Sequence, residues 1–208
     1  MTHYAVTTAW LWGDYGRILV NGMTQHLPTV GGLLQLERAA PGVPELTFPG
    51  FEVVVRESLR RALLESNLTG IVGFRPLLKA RIVELDWTQW DRSLKDPPIW
   101  PPDYEPEEYI LSREHNPKLA QEIGDMWVLD VEPVGTMQRE ILTRVPRTYR
   151  FTWRHDRQSL PDLALAPRST FLVSNRGREW LEDRNVDWLE FTPVIEVRGD
   201  PAGAADTG

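Results

Sequence analysis

Two stretches of this chain repeat the same order of hydrophobic patterns, and that repeat constrains the fold more than any other feature. Residues 51–78 and 170–195 each contain an apolar strand, an amphipathic helix of about three turns and a second strand that carries Phe-x-Pro. Six identities align the two stretches: Val55 with Val173, Arg60 with Arg178, Leu63 with Leu181, Asn67 with Asn185, Phe74 with Phe191 and Pro76 with Pro193. The alignment predicts two similar strand–helix–strand units, although two ordinary units of this kind can also agree by chance.

Strand and helix signals also occur outside the repeat. Residues 126–134 and 147–153 are predicted strands, and alternation places Tyr149, Phe151 and Trp153 on one face of the second strand. Residues 71–86 predict one long strand that is bent or bulged at Pro76, because proline has no N–H to donate to a neighbouring strand. A short helix is expected at 117–124, with its proline at the first helical position.

Glycine and proline mark the regions that we expect to be irregular. Residues 1–50 are broken by glycines, which predicts strands and turns with little helix, including an extended stretch at 17–20. Residues 94–117 contain six prolines, so we expect an ordered surface loop there without a regular helix, and 154–169 also reads as a loop. Residues 199–208 have nothing to bury and are expected to be disordered. The chain is therefore predicted to form a single α+β domain over 1–198, with a mixed or antiparallel sheet and a few helices.

Composition excludes several classes of protein. The chain has 208 residues and no cysteine, so disulfide scaffolds, cysteine-based zinc sites and thiol catalysis are excluded. The net charge of -7 argues against a nucleic-acid partner and suits a basic protein partner. No apolar run is long enough for a membrane helix, and no signal peptide is evident, so we expect no membrane partner and a cytoplasmic location.

The search for catalytic chemistry finds no convincing motif. The four histidines, His3, His26, His115 and His155, form no spaced metal-binding array, and in the pairs Glu114-His115 and His155-Asp156 surface histidines are expected. Ser174 follows a strand, as a nucleophile can, but the residues before it lack the glycine of a sharp turn, so a helix N-cap is the better interpretation. No phosphate-binding loop is present. We therefore predict no catalytic, cofactor-binding or metal-binding residues, no cofactor and no enzymatic activity.

Between the two repeated stretches, residues 84–109 combine aromatic and acidic side chains. Trp and Tyr are favoured anchors of protein interfaces, and carboxylates would attract a basic partner. The alternative is that the aromatics point inward and the carboxylates form a solvated acidic face. The predicted partner-binding residues are Trp87, Trp90, Asp91, Trp100, Asp103, Tyr104, Glu105, Glu107, Glu108 and Tyr109.

Three stretches of the sequence together resemble a known family. They are 51–76 with its Leu68-Thr69-Gly70 turn, 79–90 with Lys-Ala-Arg-Ile-Val-Glu-Leu-Asp-Trp, and 171–194 with its Trp-Leu and Phe-x-Pro elements. They resemble a group of paralogous myxobacterial proteins and the wider immunity proteins of bacterial polymorphic-toxin systems, over about residues 45–197. Some of these paralogues are called double-CXXCG proteins, and this chain departs from that motif because it has no cysteine.

The resemblance implies a function that the composition is compatible with. It implies a cytoplasmic immunity protein that binds and neutralises a cognate toxin by protein–protein contact, and it transfers no catalytic residue. An alternative from another class is a carbohydrate-active or metal-dependent hydrolase that uses clustered carboxylates and Trp. A structural or assembly component without inhibitory activity is a third possibility.

Overall fold

The computed structural model describes residues 2–9, 11–12, 14–94, 105–144, 147–166 and 170–199. Its elements, in chain order, are β1 (His3–Thr8), α1 (Asp14–Asn21), β2 (Gln35–Ala40), β3 (Leu46–Thr47), β4 (Val53–Arg56), α2 (Glu57–Glu65), β5 (Ile71–Pro76), β6 (Leu78–Glu84), α3 (Pro106–Leu111), α4 (Pro117–Glu122), β7 (Met126–Pro133), β8 (Thr136–Arg144), β9 (Arg147–His155), β10 (Leu163–Ala166), β11 (Thr170–Ser174), α5 (Asn175–Asp183) and β12 (Leu189–Arg198). Strands outweigh helices, and pairing is both parallel and antiparallel, so the predicted α+β class is confirmed.

The chain divides into two compact units, each assembled from separate segments. Unit 1 contains residues 1–7, 66–73 and 130–208, and unit 2 contains 8–65 and 74–129. Strands β5 and β7 each contribute one part to each unit. The prediction of a single domain over 1–198 stays a prediction, and residues 200–208 of the predicted disordered tail lie outside the described residues.

Unit 2 contains two sets of paired strands around an apolar core. β2 pairs in parallel with β6, and β4 pairs antiparallel with β3 and with the first half of β7. Buried Leu36, Val54, Ile82 and Met126 belong to one core cluster, to which α4 adds Leu119. The helix predicted at 117–124 is confirmed as α4, and Asn116 caps it by accepting from Leu119 N at 3.0 Å.

Unit 1 contains a sheet in which the first strand of the chain is an inner strand. Its strand order is β10-β11-β1-β12-β9-β8, and β1 and β10 both run antiparallel to β11. The strand predicted at 147–153 is confirmed as β9, with Phe151 and Trp153 buried and Tyr149 half-buried on one face. These rings pack against Ala5 and Leu172 in the core of this unit.

The two predicted helices of the repeat are present, with the expected inward stripes. Leu59 and Leu63 are buried on α2, and Leu181 is buried on α5. Ser174 is confirmed as the N-cap of α5, since its Oγ accepts from Gly177 N at 3.1 Å. Asn185 has a φ of 50° just after α5, which is the left-handed conformation that asparagine tolerates.

Two predictions about helices are wrong. Residues 17–20 lie in α1 rather than in an extended stretch, because the glycines there serve close packing and helix termination rather than a loop. A Cβ at Gly16 would lie 2.0 Å from Leu11 O, and Gly22 follows the helix with a φ of 75°. The six-residue helix α3 lies within the proline-rich segment, because Pro106 occupies the first turn, where no N–H is required.

Two predictions about strands are also wrong in part. Residues 71–86 form two strands, β5 and β6, that separate at Leu77 because Pro76 ends the first one. The expected loop at 154–169 contains the short strand β10, which pairs antiparallel with β11 and in parallel with the second half of β7.

Candidate partner-binding site

The tryptophans of the predicted segment pack around Trp12 in unit 2. The ring centroid of Trp12 lies 6.3 Å from that of Trp87 and 5.6 Å from that of Trp90, both in edge-on geometry. The Trp12 indole N–H donates to the carbonyl oxygen of Asp91 at 2.9 Å. Trp87 is only 1% exposed, so the prediction that it lies on a binding face is wrong, and it is a core residue. Trp90 is half-buried and keeps part of its ring accessible.

Asp91 is exposed, and its carboxylate closes a local turn. Its Oδ1 accepts from Ser93 Oγ at 2.7 Å and from Ser93 N at 2.9 Å. These hydrogen bonds, the side-chain one first, hold the pKa of Asp91 below its usual value of 3.8. Asp91 therefore contributes a negative charge at neutral pH, while one of its oxygens already has two donors.

Helix α3 brings three predicted carboxylates to the surface. Glu105 and Glu108 are exposed and Glu107 is half-buried. Tyr109, on the same helix, is 8% exposed, and its hydroxyl donates to the carbonyl oxygen of Glu84 at 3.2 Å. Tyr109 therefore anchors α3 to the end of β6, and the prediction that it is an exposed contact residue is wrong.

The surface where α3 is anchored to the end of β6 is not uniformly acidic. The guanidinium of Arg113 lies 3.7 Å from the Tyr109 ring centroid, in cation–π geometry. Trp100, Asp103 and Tyr104, the other predicted contact residues, lie outside the described residues.

Glu107 also lines a cleft in unit 2, with a volume of about 320 Å³. Ile18, Phe48 and Pro49 supply apolar wall. The polar part of the lining comes from Arg17, Asn21, Gln25, His26 and Glu107. Among these lining residues Glu107 is the one carboxylate and none is Trp, so the cleft lacks the pair of carboxylates flanked by Trp that the hydrolase alternative requires.

A second, buried carboxylate lies behind the wall of the cleft. His26 contacts Glu107 through Nε2, and its Nδ1 lies 3.5 Å from Oε2 of Glu37. Arg81 Nε lies 3.5 Å from the other oxygen of Glu37, whose side chain is 1% exposed. Both carboxylate oxygens of Glu37 have ionic neighbours but no hydrogen bond. Arg81 is therefore the arginine that lies beside this buried carboxylate, at the limit of ion-pair distance.

The spacing of His26, Glu37 and Glu107 in the sequence could not show that they lie together. Glu37 comes from β2, Glu107 from α3 and His26 from the connection after α1. The β-bridge between Met23 and Glu37 places Glu37 next to the cleft, with backbone hydrogen bonds of 2.8 and 2.9 Å between them. The clustering of Glu107 with other acidic residues was the one signal present, and it identified Glu107 but neither His26 nor Glu37.

Two other histidines are buried in unit 1, and the prediction that one of them, His155, lies on the surface is wrong. His3 is 0% exposed and its ring lies 5.1 Å from Trp153, while His155 is 3% exposed and lies 5.1 Å from the same indole. His3 Nδ1 contacts Glu196 at 2.7 Å and its Nε2 faces Pro161 O at 3.2 Å. They lie in the apolar core around Trp153. His115 is exposed, as predicted, and its Nδ1 accepts from Ile82 N.

Comparisons with protein-family models, with curated proteins and with solved structures found no match for this chain. Among the residues that the structure describes, no group of three or more His, Asp or Glu side chains could hold a metal ion. Within the same residues, no helix is long and apolar enough to cross a membrane.

Proposed function

We propose that this chain is an immunity-type inhibitor that binds and neutralises a cognate toxin by direct protein–protein contact. The observation that supports this best is the cleft of unit 2, where the carboxylate of Glu107, in contact with His26, shares the lining with Phe48 and Pro49. Such a site suits a lysine or arginine side chain from a basic partner. The methylenes would pack on Phe48 and Pro49, and the cation would meet Glu107.

Charge around the cleft adds to this proposal. Three exposed carboxylates lie on the two elements that Tyr109 joins: Glu84 at the end of β6, Glu108 on α3 and Glu105 at the N-cap of α3. Such a surface would steer a basic partner toward the cleft and raise its association rate. The net charge of -7 acts in the same direction.

Arg17 also lines the cleft and is exposed, so the direction in which its removal changes toxin affinity tests the proposal. Its positive charge opposes the entry of a cation, whereas the charge of Glu107 favours it. Removing each charge should therefore change affinity for a basic toxin in opposite directions. A structural role shared by both residues would weaken binding in both variants.

The test is rescue of cell growth by co-expression. The products of neighbouring reading frames are expressed singly and together with this chain, and a product that is lethal by itself and harmless in its presence is the cognate toxin. With that toxin purified, Glu107→Gln should weaken binding by about tenfold and Arg17→Gln should strengthen it, each corresponding to roughly 1–1.5 kcal/mol. Arg61→Gln, on the exposed side of α2, is the matched control and should leave affinity unchanged.

Several outcomes would contradict the proposal. If no neighbouring product is toxic, or if co-expression neither restores growth nor gives a stable complex, the inhibitor function fails. If a toxin is found but binding is unaffected by both cleft variants, the function stands and the cleft is not the contact site. An inhibitor of this kind would act in the cytoplasm, where the toxin is made or delivered.

We also propose that the two strand–helix–strand segments are similar units derived from one ancestor. Equivalent residues have equivalent partners: Val55 pairs with Leu46 and Trp127, and Val173 pairs with Leu163 and Tyr4. The guanidinium of Arg60 lies 5.6 Å from the Phe74 ring and 4.3 Å from Trp127. The guanidinium of Arg178 lies 5.7 Å from Phe191 and 4.9 Å from Tyr4. Shared register and shared cation–π contacts support duplication more strongly than sequence identity does.

A further inference from the structure

The hairpin of β8 and β9 carries a charge opposite to that of the rest of the chain. Residues 136–157 contain six arginines against two carboxylates, a net charge of +4 within a chain of net charge -7. The remaining residues therefore carry -11. The proposed binding of a basic toxin does not use the positive charge of this hairpin.

Strand β8 also ends the strand order of its sheet. It pairs with β9 on one side, and among the described residues no strand pairs with its other side. A strand edge of this kind presents unpaired N–H and C=O groups that can accept a further strand. At nine residues, β8 is long enough for such pairing.

This edge combines charged side chains, Arg139 and Glu140, with exposed aliphatic ones. Proteins usually block an exposed edge with charges, proline or a bulge. β8 does have a register shift between Ile141 and Thr143, yet Ile141 is 51% exposed and its neighbour Leu142 is 47% exposed. Two adjacent exposed aliphatic residues on an edge strand favour contact with another chain.

Arginines of β9 place positive charge beside this edge. Because strand side chains alternate, Arg150 and Arg154 point to the face opposite the buried Phe151 and Trp153. Arg150 is paired with Glu140 at 3.0 Å. Within the described part of the chain, no carboxylate lies within ion-pair distance of Arg154, which leaves its charge available.

We propose that β8 is the docking edge for an extended, acidic segment of a partner protein, which adds to the sheet as a further strand. Backbone pairing would supply the geometry, Ile141 and Leu142 the apolar contacts, and Arg150 and Arg154 the charge complementarity. A second copy of this chain fits less well, because pairing β8 with β8 would bring two hairpins of +4 together. A nucleic acid would use the arginines but not the exposed aliphatic residues.

The test uses the full chain and a peptide of about ten residues that alternates Glu and Val. Binding is measured by fluorescence anisotropy, and backbone hydrogen exchange reports whether residues 137–143 become protected. Arg150→Gln with Arg154→Gln, and separately Ile141→Thr with Leu142→Thr, should each weaken binding by about fivefold or more. Arg184→Gln, which changes an exposed arginine at the C-terminal end of α5, should leave binding unchanged.

The controls separate strand addition from other modes of binding. A peptide of the same composition with proline at alternate positions cannot pair as a strand and should not bind. The proposal would be overturned if the proline peptide bound equally well, or if the Glu-Val peptide did not bind. It would also be overturned if binding gave no protection of β8 from hydrogen exchange. A preference for a single-stranded oligonucleotide would overturn it in favour of nucleic acid, and dimerisation that Ile141→Thr with Leu142→Thr abolishes would overturn it in favour of a second copy. Since Glu107 and Arg17 belong to unit 2, this result is independent of the toxin-binding test.

Discussion

One buried arginine is held by backbone carbonyl groups rather than by an opposite charge. In unit 2, Arg38 is 0% exposed, and its guanidinium donates to the carbonyl oxygens of Val20, Ala39 and Gly42. Burial, and then the charge of Arg56, lower the pKa of Arg38 from its usual value. The planar guanidinium can serve three carbonyls at once, which explains why arginine rather than lysine occupies this position.

In unit 1, the buried charged residue Asp162 carries a negative charge. Its carboxylate accepts from Ser174 Oγ at 2.7 Å, from Thr69 N at 3.0 Å and from Thr69 Oγ1 at 3.1 Å, and Arg176 Nη1 lies 3.3 Å away. Burial by itself would raise the pKa of Asp162, but the hydrogen bonds from Thr69 and Ser174, together with the charge of Arg176, lower it below 3.8. Asp162 thus ties the turn after α2 to the start of α5.

We predict that Asp162→Ala lowers the free energy of unfolding by about 3 kcal/mol at neutral pH, because several donors lose their acceptor. Because the folded-state pKa is depressed, the carboxylate stabilises the fold above about pH 4 and this contribution is lost as pH falls further. The difference in the free energy of unfolding between the wild type and the Asp162→Ala variant should therefore become smaller at acidic pH. Urea unfolding between about pH 3 and pH 7 measures it, and a gap that is constant with pH would contradict the role of the charge.

At the scale of elements, the sequence predicted best those helices and strands whose hydrophobic pattern extends over several turns or several alternating residues. Helices α2 and α5 and strand β9 matched their predictions because each buries a regular stripe. Helix α1 was missed because glycines inside and after it read as turns, whereas Gly16 is required by the close approach of Leu11 O. Strand β10 has four residues, too few to show a period between two prolines.

The candidate site was less predictable than the fold, for a physical reason. Exposed carboxylates such as Glu105 and Glu108 were identified from composition. The direction of Trp87 and Tyr109 depends on tertiary packing that local sequence does not encode, because Trp and Tyr suit cores and surfaces equally. The juxtaposition of His26, Glu37 and Glu107 requires three distant segments to meet.

The similar contacts of α2 and α5 yield a prediction of matched effects. Arg60→Gln and Arg178→Gln each remove a guanidinium that stacks on two aromatic rings, and each should cost about 1 kcal/mol of stability. Arg61→Gln is the control, because Arg61 is 72% exposed and makes an ion pair with Glu57 without ring stacking, so its loss should be under about 0.5 kcal/mol.

Thermal unfolding of the three variants decides this prediction. Equal losses of stability for the Arg60 and Arg178 variants would support equivalent roles in the two strand–helix–strand segments. A loss confined to one of them would argue that the similar contacts contribute differently, and that the equivalence of the segments is limited to backbone pairing.

At the scale of the whole molecule, neither unit corresponds to a continuous stretch of sequence. Unit 1 draws on three segments, and its inner strand β1 comes from the first of them. Each unit has its own core cluster, around Trp153 in unit 1 and around Ile82 in unit 2. Stability can therefore be probed separately in the two units, even though neither can be cut out as one fragment.

We predict that Ala5→Asp destabilises unit 1 by more than about 4 kcal/mol, because it buries an unpaired carboxylate in an inner strand at a position that is 0% exposed. Hydrogen exchange should show loss of protection in β9, β11 and β12. Thr7→Asp, at a half-exposed position of the same strand, is the control and should cost less than about 1 kcal/mol. Full protection of β11 in the Ala5 variant would contradict the structural role of β1.

The inner position of β1 has a consequence for synthesis on the ribosome. β1 is synthesised about 160 residues before β11 and β12, the two strands that lie on either side of it. At about 5–20 residues per second, β1 waits tens of seconds for its neighbours, with its hydrogen-bonding groups and apolar side chains unprotected. The sheet of unit 1 therefore cannot be completed until β11 and β12 have been synthesised.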